Sequence, residues 1–302
     1  MRAMKRWTAK ERRSIDQRLM AGIRDLLHAI SLPITVLSLF YHRRQHPDYH
    51  VKFRQKLALA RKMYRNSRHI PTGTTYKAHL AITAKLLETP PTTKGVVVEC
   101  GCWLGGSAAN LSLACDLVGR ELILYDSFEG LPAAEANDRY AKPEAEGMYR
   151  GDLETVRENI RKYGKIERCT FRKGWFKDTL PDHKEPVVLC LLDVDFQASL
   201  HDCVVNLWPR LTPRGYIFID EYVFIDYCAL FFSERFWDKY FNSPPPGLYG
   251  AGTGIPLGQY YLGPYDERTL ISDPRSIAYT RRDFKALWDY EPTDAGQASS
   301  TE

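Results

Sequence analysis

The sequence predicts an α/β fold: a Rossmann-like, doubly wound, mainly parallel sheet behind an N-terminal helical extension. Three observations predict it. Apolar runs at 96–100, 121–126, 169–173, 187–195 and 215–222 alternate with helix-periodic segments, the pattern of a parallel sheet with both faces covered. The run "PVVLCLLDVD" (Pro186 to Asp195) is apolar almost throughout, as a central parallel strand should be. The first run ends in a glycine turn that opens a helix, which is where such sheets bind ligands.

Taken in order, residues 1 to about 70 read as helices broken at Pro33 and at His46-Pro47. Ile15, Leu19, Ile23, Leu26 and Ile30 recur at helical spacing, and such a stripe is expected to pack on the body or on a second subunit. Thr74 to Glu88 reads as a helix with a threonine cap. Pro90 to Gly95, "PPTTKG", reads as a linker. Leu153 to Gly164 and Ser199 to Leu211 are helix-patterned, and Tyr227 to Phe241 is an aromatic-rich helix expected in the core or at an interface. The glycine-rich "GAGTGIPLG" (Gly250 to Gly258) precedes a late strand at 276–281. It lacks the Lys-Ser/Thr of a phosphate loop and reads as a loop over the substrate or a connector. The tail at 291–302 is polar and expected to be disordered. The division is therefore a basic helical extension at 1–73, a main domain at 74–290 and the tail.

The chain has 302 residues, 44% apolar and 26% charged, enough for a sizeable core. Its seven cysteines, an odd and scattered set, point to a reducing, cytoplasmic compartment. Cys100 and Cys102 lack the second pair or nearby histidines of a zinc site. No secretory signal is evident, and "AISLPITVLSLF" (Ala29 to Phe40) is too short to span a bilayer. A soluble protein is expected. Residues 1–70 carry 17 Lys/Arg against 4 Asp/Glu, while the remainder carries 25 against 33. A basic arm suits nucleic acid, anionic lipid or an acidic partner, or is simply a solvated helix face. The aromatic residues do not alternate with the basic ones as a base-stacking platform requires, so nucleic acid is not expected.

The turn carries the chemistry. Strand one ends in Glu99-Cys100-Gly101, and Gly105-Gly106-Ser107 opens the next helix. Glycine permits close backbone approach, and a helix start offers free N–H groups. The second strand ends in Asp126, about 20 residues on, where an acid hydrogen-bonds ribose hydroxyls. A nucleoside-bearing cofactor is expected. The pattern E-x-G-x-x-x-G-G is not the G-x-G-x-x-G of a dinucleotide site. None of the 18 tyrosines has a lysine four residues on, as a short-chain dehydrogenase would need. Glu99 suits an ammonium better than a pyrophosphate, and S-adenosylmethionine has both an ammonium and a ribose.

Four stretches make the likeness specific: "VVECGCWLGGSAANLS" (97–112), "YDSFEGLP" (125–132), "KGWFKDTLP" (173–181) and "LLDVDFQASLHDCVVNLWPRLTPRGYIFIDEY" (191–222). Through them the chain resembles class I S-adenosylmethionine-dependent methyltransferases, and among these the macrocin/mycinamicin O-methyltransferases, which methylate sugar hydroxyls. The resemblance implies a seven-stranded, mainly parallel sheet and a homo-oligomer. It implies that Glu99, Gly101, Gly105, Gly106 and Ser107 line the methionine end of the cofactor. Asp126 would hold the ribose, with Ser127, Phe128 and Trp175 near ribose or adenine. It implies a divalent cation, normally Mg2+, held by Asp193, Asp220 and Glu221. Glu221 stands where the family commonly has aspartate, and Asp193-Val194-Asp195 replaces Asp-Gly-Asp.

Elementary chemistry agrees with that set. Asp193 and Asp195 end one apolar run, and Asp220 and Glu221 end another. Converging carboxylates suit a hard cation, which lowers the pKa of a coordinated hydroxyl. Strand capping, or pairing with Arg210 and Arg214, is the plainer role. A sulfonium needs no activation, so the enzyme must align the nucleophile and take its proton. Asp193 is the expected base. His183 and His201 are not placed for catalysis by spacing. The function expected is O-methylation of a small hydroxylated acceptor, a sugar or another natural product. Methylation of a different acceptor atom and a non-catalytic scaffold are the alternatives.

Overall fold

Branched and aliphatic side chains fill Val96–Cys100, and the run forms the first strand, β1. The computed structural model describes residues 15–40, 45–134, 145–222, 225–250 and 277–283. The expected tail at 291–302 and residues 251–258 of the glycine-rich stretch lie outside them. The other strands are β2 (Leu122–Asp126), β3 (Cys169–Lys173), β4 (Val187–Leu192), β5 (Leu211–Ile219), β6 (Tyr249–Gly250) and β7 (Ala278–Arg281). They lie side by side as β3-β2-β1-β4-β5-β7-β6. The pairs among β1 to β5 are parallel, and β7 runs antiparallel to β5 and β6. The chain leaves β1 toward β2 and β3, then returns to its other side with β4. A crevice therefore opens beyond the carboxyl ends of β1 and β4.

Nine α-helices are described: α1 (Ile15–Phe40), α2 (Phe53–Asn66), α3 (Tyr76–Glu88), α4 (Gly106–Val118), α5 (Leu153–Tyr163), α6 (Phe176–Thr179), α7 (Gln197–Leu207), α8 (Ile225–Cys228) and α9 (Glu234–Phe241). Side chains alternate across β1. Val97 joins the core shared with α3, α4 and α5, while Val98 and Cys100 join the core under α7 and α9. The buried aliphatics of β4 contribute to both. All seven cysteines are free thiols, and six are buried. Among the described residues no helix is long and apolar enough to cross a membrane.

Several expectations needed correction. Helix α1 runs through Pro33. A proline removes one backbone hydrogen bond but does not have to end a helix. The stripe of Ile23, Leu26 and Ile30 does not pack on the body, being 41%, 60% and 61% exposed; the inward face carries Leu32 and Val36. The segment Pro90–Gly95 is pinned, because the Arg120 guanidinium donates to the carbonyls of Pro90, Thr93 and Gly95. The aromatic segment at 227–241 is not one helix. The Ser233 hydroxyl accepts from Phe236 N–H and starts α9 afresh. Trp237 is fully buried there.

Candidate functional site

Side-chain alternation along β1 puts Glu99 on the same face as Val97, in the core beneath the turn. Glu99 is fully buried, and neither carboxylate oxygen has a hydrogen-bond partner. Burial pushes its pKa up to about 8. Ser107 stands beside it without reaching hydrogen-bond geometry and eases the rise, while the Asp126 charge adds to it.

Gly101 then takes φ +82°, and a Cβ there would meet the carbonyl oxygen of Asp193 at 1.9 Å. Only glycine fits where β1 and β4 converge. Helix α4 starts from Gly105 without a side-chain cap, so its first N–H groups are not capped from the helix's own side chains. A Cβ on Gly106 would lie 2.9 Å from both the Pro71 carbonyl oxygen and Thr72 Cβ. The segment Pro71–Gly73 therefore crosses the start of α4 as a strap.

At the end of β2, Asp126 is held in a fixed pose. One carboxylate oxygen accepts from Cys102 N–H and the other from Phe128 N–H, each at 2.7 Å. Each oxygen keeps a lone pair for a ligand. The Ser127 hydroxyl donates to the Gly130 carbonyl and accepts from Glu129 N–H.

These groups share one cleft of about 1150 Å³, counted with its open mouth. Gly101, Gly106, Ser107, Asp126, Ser127, Trp175, Asp193 and Asp220 line it. Four expected residues do not. Glu99 lies beneath the turn and Gly105 behind it, against Val156 and Ile160. Phe128 turns into the core beside Phe171. Glu221 sits just behind the wall.

The acids gather at the carboxyl ends of β4 and β5. Ligand atoms of Asp193, Asp195 and Glu221 all lie within 4.8 Å of one another. Asp195 has φ +58°, a strained conformation that aspartate tolerates better than most residues. Its N–H donates to Glu221 Oε1 at 2.9 Å, and Glu221 Oε2 has no partner. Burial first, then the charges of Asp220, Glu221 and Asp195, holds the Asp193 carboxyl far above the usual carboxylate range. The Glu221 carboxyl is raised by burial and by Asp220. The close triad thus includes Asp195, whereas the sequence pointed to Asp193, Asp220 and Glu221. Asp220 faces the cleft beside Asp193: a Cβ on Gly73 would lie 3.7 Å from Asp193 Oδ2 and 3.8 Å from Asp220 Oδ2. Three carboxylates with an orphaned buried oxygen form a donor set that fits a hard cation.

Sequence reasoning missed the strap Pro71–Gly73 and Tyr149 on the cleft wall. It also missed the polar chain that holds the strap. Asn66 Nδ2 donates to Asn110 Oδ1 at 2.9 Å and to the Tyr163 carbonyl at 3.0 Å. Asn110 Nδ2 in turn donates to His79 Nδ1 at 2.9 Å, so the ring proton is on Nε2, which donates to Thr74 Oγ1 at 2.6 Å. Burial lowers the His79 pKa to about 3, so the ring is neutral. His183 is buried too, with Nδ1 at 2.9 Å from the Tyr125 hydroxyl; it does not line the cleft.

Comparison with known proteins places this geometry in a family. Residues 78–242 match the family model for macrocin-O-methyltransferase (TylF). The chain is similar to the 8-demethyl-8-(2,3-dimethoxy-alpha-L-rhamnosyl)-tetracenomycin-C 4'-O-methyltransferase of Streptomyces olivaceus, with 38% identity over 144 residues, 44% of this chain and 55% of that protein. It is similar to the mycinamicin III 3''-O-methyltransferase of Micromonospora griseorubida, with 31% identity over 140 residues, 42% of this chain and 55% of that protein. The chain spans about half the length of these curated relatives. Among solved structures, the O-methyltransferase NovP shares the fold, with a TM-score of 0.55 and 21% identity over 87% of this chain and 99% of that one. A mixed α/β methyltransferase fold with a mostly parallel sheet is thus common to both. With more than half of its length matched, the chain belongs to the macrocin-O-methyltransferase (TylF) family.

Proposed function

We propose that the protein is an S-adenosylmethionine-dependent O-methyltransferase acting on a hydroxyl of a sugar or another hydroxylated natural product. One observation carries the reading. The pinned Asp126 carboxylate and the carboxylates of Asp193, Asp195 and Asp220 line the same cleft at the point where strand order reverses. Family membership and the activities for which the relatives are named support it.

In this reading Asp126 holds the ribose hydroxyls, and the Gly101 turn and Ser107 face the methionine end. Glu99 acts from below as the buried counter-charge. Trp175 and Ser127 lie along the nucleoside. S-adenosylmethionine, when bound, supplies an electrophilic methyl group. With a cation offsetting the neighbouring carboxylates so that it is ionised, Asp193 would orient the acceptor hydroxyl and take its proton as the hydroxyl receives the methyl group. Asp195 and Glu221, with Asp193, would hold a divalent cation such as Mg2+, and Asp220 would flank it. Such an ion would make the acceptor hydroxyl more acidic.

The proposal includes a cytoplasmic homo-oligomer, a full seven-stranded sheet and a main domain at 74–290 behind the basic extension at 1–73. The strap then belongs to the extension while forming part of the cleft wall. Calorimetric titration of S-adenosylhomocysteine tests the cofactor site. Micromolar binding that Asp126→Asn removes supports the reading, and no binding to the wild type rejects it.

A further inference from the structure

Helix α1 is inside out. Ile23, Leu26, Leu27, Ile30, Ile34 and Leu37 are each 39–61% exposed. At 100° per residue these six fall on one arc of about 100°. The opposite face turns Ser31, Leu32, Thr35 and Val36 inward, each under 9% exposed. A helix on a water-facing surface does the reverse, burying its aliphatics and showing its polar groups.

The charges around the stripe identify what complements it. No Lys, Arg, Asp or Glu occurs between Asp25 and Arg43, and α1 as a whole has two basic and two acidic residues. The segment before it, 1–14, has six Lys/Arg and one acid, and 41–70 has nine and one. Arg54, Arg61, Lys62, Arg65 and Arg68 of that second segment are exposed. A neutral apolar stripe is thus bracketed by two positive segments. A two-fold pairing of stripe on stripe would set positive segment against positive segment in either helix direction. An anionic lipid surface complements the whole pattern: aliphatics enter the acyl boundary and the flanking cations meet phosphate headgroups.

We propose that α1 is a membrane-surface helix that lies in the plane of an anionic bilayer through Ile23, Leu26, Leu27, Ile30, Ile34 and Leu37. The inference goes beyond methyl transfer and does not depend on it.

The test is co-sedimentation of the full chain with vesicles of phosphatidylcholine plus phosphatidylglycerol, and with vesicles of phosphatidylcholine alone. The expected result is binding to the anionic vesicles, weakened about tenfold or more on the neutral ones and reduced by salt. The double variant Leu26→Gln/Ile30→Gln should bind anionic vesicles about tenfold more weakly, with unchanged melting temperature, because both positions are exposed. Three results would overturn the proposal. One is no pelleting with either vesicle. A second is pelleting that the double variant does not weaken, which assigns binding to charge alone. The third is a lipid-free dimer in sedimentation equilibrium that the variant dissociates, without vesicle binding, which gives the stripe to a second copy.

Discussion

Replacing Glu99 with glutamine should stabilise the protein, and by more as the pH rises. The Glu99 carboxyl is fully buried without a partner, and burial moves its pKa from 4.5 to about 8. A carboxyl with a raised folded-state pKa favours the fold most below its unfolded pKa. It loses that contribution as pH climbs from 4.5 toward 8, because the unfolded chain releases the proton first. Each pH unit in that window removes about 1.4 kcal/mol, so roughly 3 kcal/mol is gone at pH 7. Glutamine keeps the shape and does not titrate. His79 works in the opposite sense. Its lowered pKa of about 3 against 6.5 makes stability rise with pH between those values. The wild-type profile therefore mixes the two, and the difference between variant and wild type isolates Glu99. By thermal unfolding without cofactor, that difference should grow from near zero at pH 5 to about 5 °C at pH 7.5 for a chain of this size. A constant difference, or one of opposite sign, would refute the claim that the fold holds a neutral carboxyl under the turn. Saturating cofactor should shrink the gap, because a bound ammonium favours the ionised form.

Asp126→Asn should lower S-adenosylhomocysteine affinity at least about hundredfold, since two charge-assisted hydrogen bonds are each worth roughly 1.5–3 kcal/mol; calorimetry reads it. Asp195→Asn should weaken Mg2+ binding at least about tenfold and more than Asp220→Asn does, because Asp195 belongs to the close triad. Equal losses in a metal titration would return Asp220 to the first place. Gly106→Ala drives a methyl group to 2.9 Å from the strap and should destabilise by about 1–3 kcal/mol while weakening cofactor binding. His79→Leu leaves Thr74 and Asn110 without their buried partner and should cost about 3 kcal/mol in denaturant unfolding.

What was legible in the sequence had a short-range cause. Strands β1 and β3 match their apolar runs to the residue, and the cap of α3 follows from Thr75, whose hydroxyl accepts from Ala78 N–H. The turn from Gly101 to Ser107 and the acid at Asp126 could be placed because neighbouring strand ends fix them. Strand β5 begins at Leu211 rather than 215. It continues through Pro213-Arg214-Gly215 because a register shift between Val187 and Leu189 of β4 absorbs the irregularity. No local propensity shows that. The acid set was only half legible. Alternation puts Asp193 and Asp195 at one strand end, but the left-handed backbone at Asp195 that brings it beside Glu221 is a tertiary outcome. Phe128 read as a ligand neighbour because of its place in the motif, and its positive φ sends it to the core instead.

The strap explains why the N-terminal segment cannot be treated as an appendage to the cleft. The proposed cofactor site draws on β1, β2 and α4, all inside the family match. Residues 71–73 precede that match, yet they form one wall and bring Gly73 against Asp193 and Asp220. Their position is set by the buried chain from Asn66 on α2 through Asn110 on α4 to His79 and Thr74. Two of its links join residues 44 and 31 apart in sequence, so no motif window could contain the whole chain. Each group in the chain is nearly or fully buried, where an unmade hydrogen bond is expensive, so displacing α2 would break it. The position of the extension and the shape of the acidic end of the cleft are therefore one structural variable.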